Sequence, residues 1–278
     1  MEARTAHLTA IGFGIVALAG CGGAGGGGAG AGDPAKQAQQ VEKQSPQVVR
    51  NWLTAAVNQD AKQYCQLMTL DLKEQTTGAQ SDQANRKCQQ VAKSPGTADL
   101  PARFVVVAED DEGSTEKVQI TSKVPESVEM VKEGGSLKID QVSGGPSGGE
   151  GLDERVKPSP AGKQAETVVK QWILAGVQQD SKRYCQQLTV RYREELANAR
   201  SDQAAKKCER LVVSGNGDRL PLAVETKVTS AEPQSAEATI QSSVPATVEL
   251  RKEGGSFKVD GVGGSDGARK ARKSDAGR

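Results

Sequence analysis

Five cysteines are the residues of this chain best placed for chemistry. Four of them form two pairs of identical spacing, Cys65 with Cys88 and Cys185 with Cys208, displaced from one another by 120 residues. Thiols in such an arrangement form disulfides, bind a soft metal or run redox exchange. A structural zinc site calls for closely spaced ligands such as Cys-x-x-Cys, and the chain has none. Its single histidine, His7, lies in the first twenty residues, so no imidazole is on hand to complete a shell. Redox catalysis lacks the same Cys-x-x-Cys motif. The sequence therefore implies no metal and no cofactor.

Three pairs of acids recur in both copies. Asp60 and Asp180 open a short helical pattern and read as N-caps; Asp82 and Asp202 fall in the positive first turn of another helix; Asp140 and Asp260 stand at the end of the last strand. Each placement has a structural use that needs no catalysis. Tyr64 and Tyr184 adjoin the cysteines and read as packing partners. The glycine run over residues 22–32 lacks the preceding strand and the following Lys-Ser/Thr of a phosphate loop, and no nucleophile has a base at readable spacing. The expectation is a protein that is not an enzyme. The rival reading, an enzyme using Asp and Tyr without histidine, requires Asp140 or Asp260 to open into a cavity beside Tyr64 or Tyr184.

The elements that carry these residues are duplicated. Residues 48–69, VVRNWLTAAVNQDAKQYCQLMT, return as VVKQWILAGVQQDSKRYCQQLT over 168–189, and Trp52/Trp172 and Gly134/Gly254 keep the offset of 120. Val48, Val49, Trp52, Leu53, Ala56 and Val57 form one apolar stripe, so the first helix buries one face. Asp60 caps a second short helix carrying Tyr64, Cys65, Leu67 and Met68, and Ser81 caps a third that runs through Cys88 to about Val91. After Leu100-Pro101 the period falls to two, predicting strands over 102–108, 116–124, 127–132 and 136–142. Gly134-Gly135 turn the last hairpin, because glycine accepts positive φ. Three helices followed by a meander of strands place each repeat in the α+β class.

At the N-terminus Arg4 supplies a weakly basic start, residues 8–18 an apolar run too short to span a bilayer comfortably, and Leu18-Ala19-Gly20-Cys21 follows at once. This resembles a bacterial lipobox. The resemblance implies a signal peptide over 1–20, removed before Cys21, and a diacylglyceryl group with fatty-acyl chains such as palmitate on the Cys21 thiol. Two or more acyl chains anchor stably, so the protein is expected on the extracytoplasmic face of a bacterial cell membrane. Export makes disulfides the natural reading of Cys65–Cys88 and Cys185–Cys208, each closing a loop of about 23 residues and contributing ~3 kcal/mol in the chain-entropy model.

Residues 21–44 read as a Gly-rich tether, 144–163 as a flexible Gly/Ser/Pro linker and 264–278 as a basic disordered tail. With 36 basic and 35 acidic side chains the net charge is +1, which provides no field to draw nucleic acid. Two local clusters, Glu109-Asp110-Asp111-Glu112 and the tail residues Arg269, Lys270, Arg272 and Lys273, read as solvated segments. The second also suits contact with anionic lipid.

The order of helices then strands, the W-x(7)-D-x(4)-C pattern at Trp52, Asp60 and Cys65, the second Cys88 and the closing hairpin VEMVKEGGSLKIDQV together resemble the NTF2-like (SnoaL-like, cystatin-like) superfamily, and within it the extracytoplasmic lipoprotein domains of bacteria. The resemblance covers both repeats, 45–143 and 164–263. Domains of that kind commonly carry an aromatic where this chain has Leu137 and Phe257. It implies two tandem cones, each of about three N-terminal helices packed on a curved antiparallel sheet. The expected function is that of a lipid-anchored protein whose two non-catalytic domains bind an envelope protein partner or a small apolar ligand. The alternative is a SnoaL-like hydrolase or isomerase acting on a small hydrophobic substrate.

Overall fold

The computed structural model describes residues 33–93, 100–109, 115–144, 159–214 and 220–263. Cys21 with its lipobox, acidic residues 110–112 and the basic tail lie outside these. No helix among the described residues is long and apolar enough to cross a membrane.

Each repeat opens with a long helix, α1 (Pro34–Asn58) and α5 (Pro160–Gln178). Both begin on a capping side chain followed by proline: Asp33 accepts the Ala35 N–H at 3.0 Å and Ser159 the Gly162 N–H at 3.0 Å. Helix α1 therefore takes up the last eleven residues of the expected tether. The Lys, Gln and Ala of that stretch are good helix formers, and Val41 and Ser45 extend the apolar stripe of Val49, Trp52 and Leu53 into the core. Both helices stop at a left-handed glutamine, Gln59 and Gln179.

The short helices α2 (Ala61–Gln66) and α6 (Ser181–Gln186) follow, capped as predicted: the Asp60 and Asp180 carboxylates accept the N–H of Gln63 and Arg183 at 3.0 Å. A further helix comes next in each repeat, α3 (Leu70–Thr77) and α7 (Val190–Ala197), making four where three were expected. Its signal is a cap at each end, the Thr69 or Thr189 hydroxyl at the start and left-handed Gly78 or Asn198 at the finish. Helices α4 (Ser81–Ala92) and α8 (Ser201–Val213) complete the set. Ser81 is not the expected cap; it is itself the first helical residue, and its N–H donates to the Glu74 carboxylate at 2.6 Å.

Eight strands follow the two helical sets: β1 (Arg103–Glu109), β2 (Thr115–Lys123), β3 (Ser127–Glu133) and β4 (Ser136–Ser143), then β5 (Ala223–Ala231), β6 (Ser235–Ser243), β7 (Thr247–Glu253) and β8 (Ser256–Gly263). They form two four-stranded antiparallel sheets, ordered β1-β2-β7-β8 and β4-β3-β6-β5, and neither closes into a barrel. The class is α+β. The expected meander and the self-contained, flexibly linked cones give way to an exchange, because each sheet joins a hairpin of one repeat to a hairpin of the other. Thr115–Gln119 pair with Thr247–Arg251, and Ser127–Val131 with Ser235–Thr239, the same contact under the 120-residue offset.

The exchange is made at the joint between β2 and β3. Only Val124-Pro125-Glu126 separates these strands, with Val244-Pro245-Ala246 in the second copy. The fixed φ of the proline suits an extended connection. The chain runs on into the other sheet. Across the joints, the Ile120 N–H donates to the Ala246 carbonyl at 2.8 Å and the Ile240 N–H to that of Glu126 at 2.7 Å. Helix α1 lies against β4 of its own repeat and β5 and β6 of the other, α5 against β8, β1 and β2, and the two helices touch. The buried side chains accordingly form one continuous core.

Sheet edges are occupied. Residues Leu67 to Thr69 bridge to Ile139 on the rim of β4, and Gln187 to Thr189 to Val259 on that of β8. On β1, the Glu166 carboxylate from α5 accepts the Ala108 N–H at 3.3 Å, while β5 carries a bulge between Val228 and Ser230.

Candidate functional site

The predicted disulfides are present. Cys65 on α2 joins Cys88 on α4, and Cys185 on α6 joins Cys208 on α8, with Cα–Cα distances of 6.1 Å in both. Each staple sits behind an aromatic pair: Trp52 and Tyr64 have ring centroids 5.4 Å apart, Trp172 and Tyr184 5.5 Å. All four rings are buried. The Tyr64 hydroxyl accepts the Ala102 N–H at 3.1 Å, tying α2 to the chain entering β1. Burial pushes both tyrosine hydroxyls far above their ordinary pKa, so neither is a base at neutral pH.

Two small cavities lie beside this packing. A cavity near Tyr64 and Asp60 measures about 10 Å3 and one near Gly176 and Leu222 about 20 Å3, each space for about one water. Gly176 gives Leu222 its room: a Cβ there would lie 2.6 Å from Leu222 Cδ2, which would have to shift. The matching positions of the first repeat hold Ala56 and Ala102, so the second repeat concentrates a larger side chain at 222 against a bare backbone at 176.

Asp140 and Asp260 occupy β-bulges. In β8 the register passes from Val259, opposite Leu250, to Gly261, opposite Glu249, leaving Asp260 as the extra residue; Asp140 holds the same place in β4. A bulge turns a side chain out of the regular alternation. At Asp260 it presents the carboxylate to α7, where Thr189 Oγ1 donates at 2.7 Å and Arg191 Nη2 at 2.7 Å, with Arg251 Nε 3.2 Å away on β7. Burial raises the Asp260 pKa, but the hydrogen bonds from Arg191 and Thr189 and the charges of Arg191 and Arg251 outweigh it and hold the group below the usual carboxylate range. In the first repeat Asp71 and Val131 replace the two arginines. Asp260 is thus fully engaged in structural bonds, and the Tyr64 hydroxyl is spent on the backbone.

A second divergence lies one turn away. In the first repeat Lys138 Nζ is 2.6 Å from the Glu133 carboxylate, holding that carboxyl below its ordinary value, and Lys73 beside them is lowered by burial and then by the charge of Lys138. In the second repeat Glu253 accepts the Val190 N–H at 3.1 Å, and among the described residues Lys258 has no carboxylate partner. Lys258 borders a groove of about 740 Å3 between α5, the end of α6 and the β7–β8 turn. Sequence reasoning missed this groove, since its walls come from three separate segments.

The chain matches no family model, no curated protein and no solved structure. No cluster of metal-ligating side chains occurs among the described residues.

Proposed function

We propose that the chain is a lipid-anchored extracytoplasmic protein whose two NTF2-like repeats, interlocked through their hairpins, bind a partner at the outer surface and carry out no chemistry. The observation that carries this reading is the pair of disulfides at matching positions, since such bonds persist in oxidising compartments and are rare in the cytosol. It agrees with the lipobox resemblance at Cys21. The NTF2-like assignment is supported by helices laid over an antiparallel sheet in each half, the sheet being completed by the other repeat. The two cavities beside the tyrosine packing, each with room for about one water, favour an envelope protein or another surface ligand over a small apolar ligand held at those places. The hydrolase or isomerase reading has less support, because Asp260 is held by two arginines and a threonine.

Mass spectrometry of the membrane fraction tests the anchor. The expected product begins at a diacylglyceryl-modified Cys21, and an unmodified Cys21 overturns it. Crosslinking on intact membranes, followed by purification of the chain, tests the binding role, with a discrete covalent adduct expected at the surface of the repeats.

A further inference from the structure

We propose that the groove between α5 and the β7–β8 hairpin binds an anionic saccharide. The inference rests on the surface-binding reading above and names the ligand class. Its volume of about 740 Å3 falls within the roughly 300–1,000 Å3 of small-molecule sites.

The charge in the groove comes from Lys163 on α5 and Lys258 on β8, neither of which has a carboxylate partner among the described residues. The two repeats show that this is a local departure. The lysine equivalent to Lys258, Lys138, is neutralised by Glu133 at 2.6 Å, and Glu133 also accepts a backbone hydrogen bond from Leu70; Glu253, which corresponds to Glu133, keeps the equivalent bond from the Val190 N–H without the lysine. The second repeat keeps the glutamate as a helix cap and releases its lysine to the groove. The other cations of the hairpin are engaged elsewhere: Lys252 lies over the Phe257 ring at 5.0 Å, and Arg251 pairs with Asp260 at 3.2 Å.

The polar lining beside the two lysines is amides and hydroxyls, chiefly Thr167, Gln171, Gln186 and Ser256, with Gln187 Nε2 donating to Gln171 Oε1 at 3.5 Å. Each amide offers donors and acceptors side by side, which matches sugar hydroxyls that both donate and accept. Val168 and the buried Phe257 supply the apolar part of the lining, suited to the C–H groups of a pyranose ring. Two cations able to meet a carboxylate or phosphate, in a lining otherwise rich in amides, select a saccharide that carries negative charge over a neutral one.

The test is calorimetric titration of the full chain in detergent with trigalacturonate, using maltotriose and citrate as controls. Binding of trigalacturonate is expected, weakened about tenfold or more by the double variant Lys163→Gln/Lys258→Gln and unchanged by Lys138→Gln. Absence of trigalacturonate binding, equal binding of maltotriose or citrate, or equal loss in Lys138→Gln overturns the proposal. Thermal midpoints of the variants check that their folds are intact. None of these outcomes bears on the acylation of Cys21, so failure of the groove is distinguishable from failure of the anchor.

Discussion

Val118, in the middle of β2, stands directly opposite Val248 of β7. Both are fully buried, and they belong to different repeats. The contact, with its counterpart Ala238 opposite Val128, makes the two copies halves of one folding unit. The disulfides play no part in joining them, because each closes within a single repeat.

Cutting the linker therefore should not separate the halves. With a protease recognition sequence placed at residues 150–155, the nicked chain is expected to elute as one species in native buffer after complete cleavage. Two peaks on size exclusion, with no denaturant present, would show that the shared ladders do not hold the repeats together.

Asp260 predicts a pH-dependent contribution to stability. Its folded pKa is depressed, so the stabilisation is fully present above the unfolded value of about 3.9 and is lost as pH falls through the folded value. Asp260→Asn is expected to cost about 1–2 kcal/mol at pH 7, a modest figure because the Arg191 and Arg251 side chains are more than half exposed. Urea denaturation from pH 7 down to 2.5 should show the gap between wild type and variant closing only in the acid range. A gap that is constant across the series would mean that the ionised carboxylate is not the source.

The contact of Gly176 with Leu222 predicts coupling. Alanine at 176 gains about 1 kcal/mol of helix propensity but presses a methyl group into Leu222, so the single variant is expected to lose about 1 kcal/mol net. In a Leu222→Ala background, which recreates the Ala56/Ala102 pairing of the first repeat, the same change becomes stabilising. A double-mutant cycle reads the difference, and additive effects would argue against the contact.

Removal of either cystine should be felt separately. Cys65→Ala/Cys88→Ala is expected to cost about 2–4 kcal/mol in chemical denaturation, and Cys185→Ala/Cys208→Ala a similar amount. Peptide mapping without reductant should recover both linked pairs. Finding alkylated thiols at Cys65 and Cys88 in freshly isolated protein would remove the oxidised fold.

Much of this molecule was legible in its residues. The stripe of Val49, Trp52 and Leu53 has helical period, Asp60 and Asp180 have the shape and place of caps, and equal cysteine spacing in a duplicated pattern indicated both pairs. These signals are local, set by side chains a few residues apart or by an internal repeat. Helix α3 escaped notice because its eight residues carry little amphipathic pattern, although Thr69 and Gly78 mark its ends.

The partner of each strand was another matter. Alternation in β2 shows that Val118 and Ile120 face a core, but the ladder bonds that choose a neighbour are made by backbone groups common to every residue. A sequence therefore determines that a strand forms and which face it buries, while leaving open whether β2 lies beside β3 or beside β7. Tertiary structure decided that, as it decided the setting of Lys258, whose surroundings are built from α5, α6 and β8, segments of the second repeat that lie far apart along the chain.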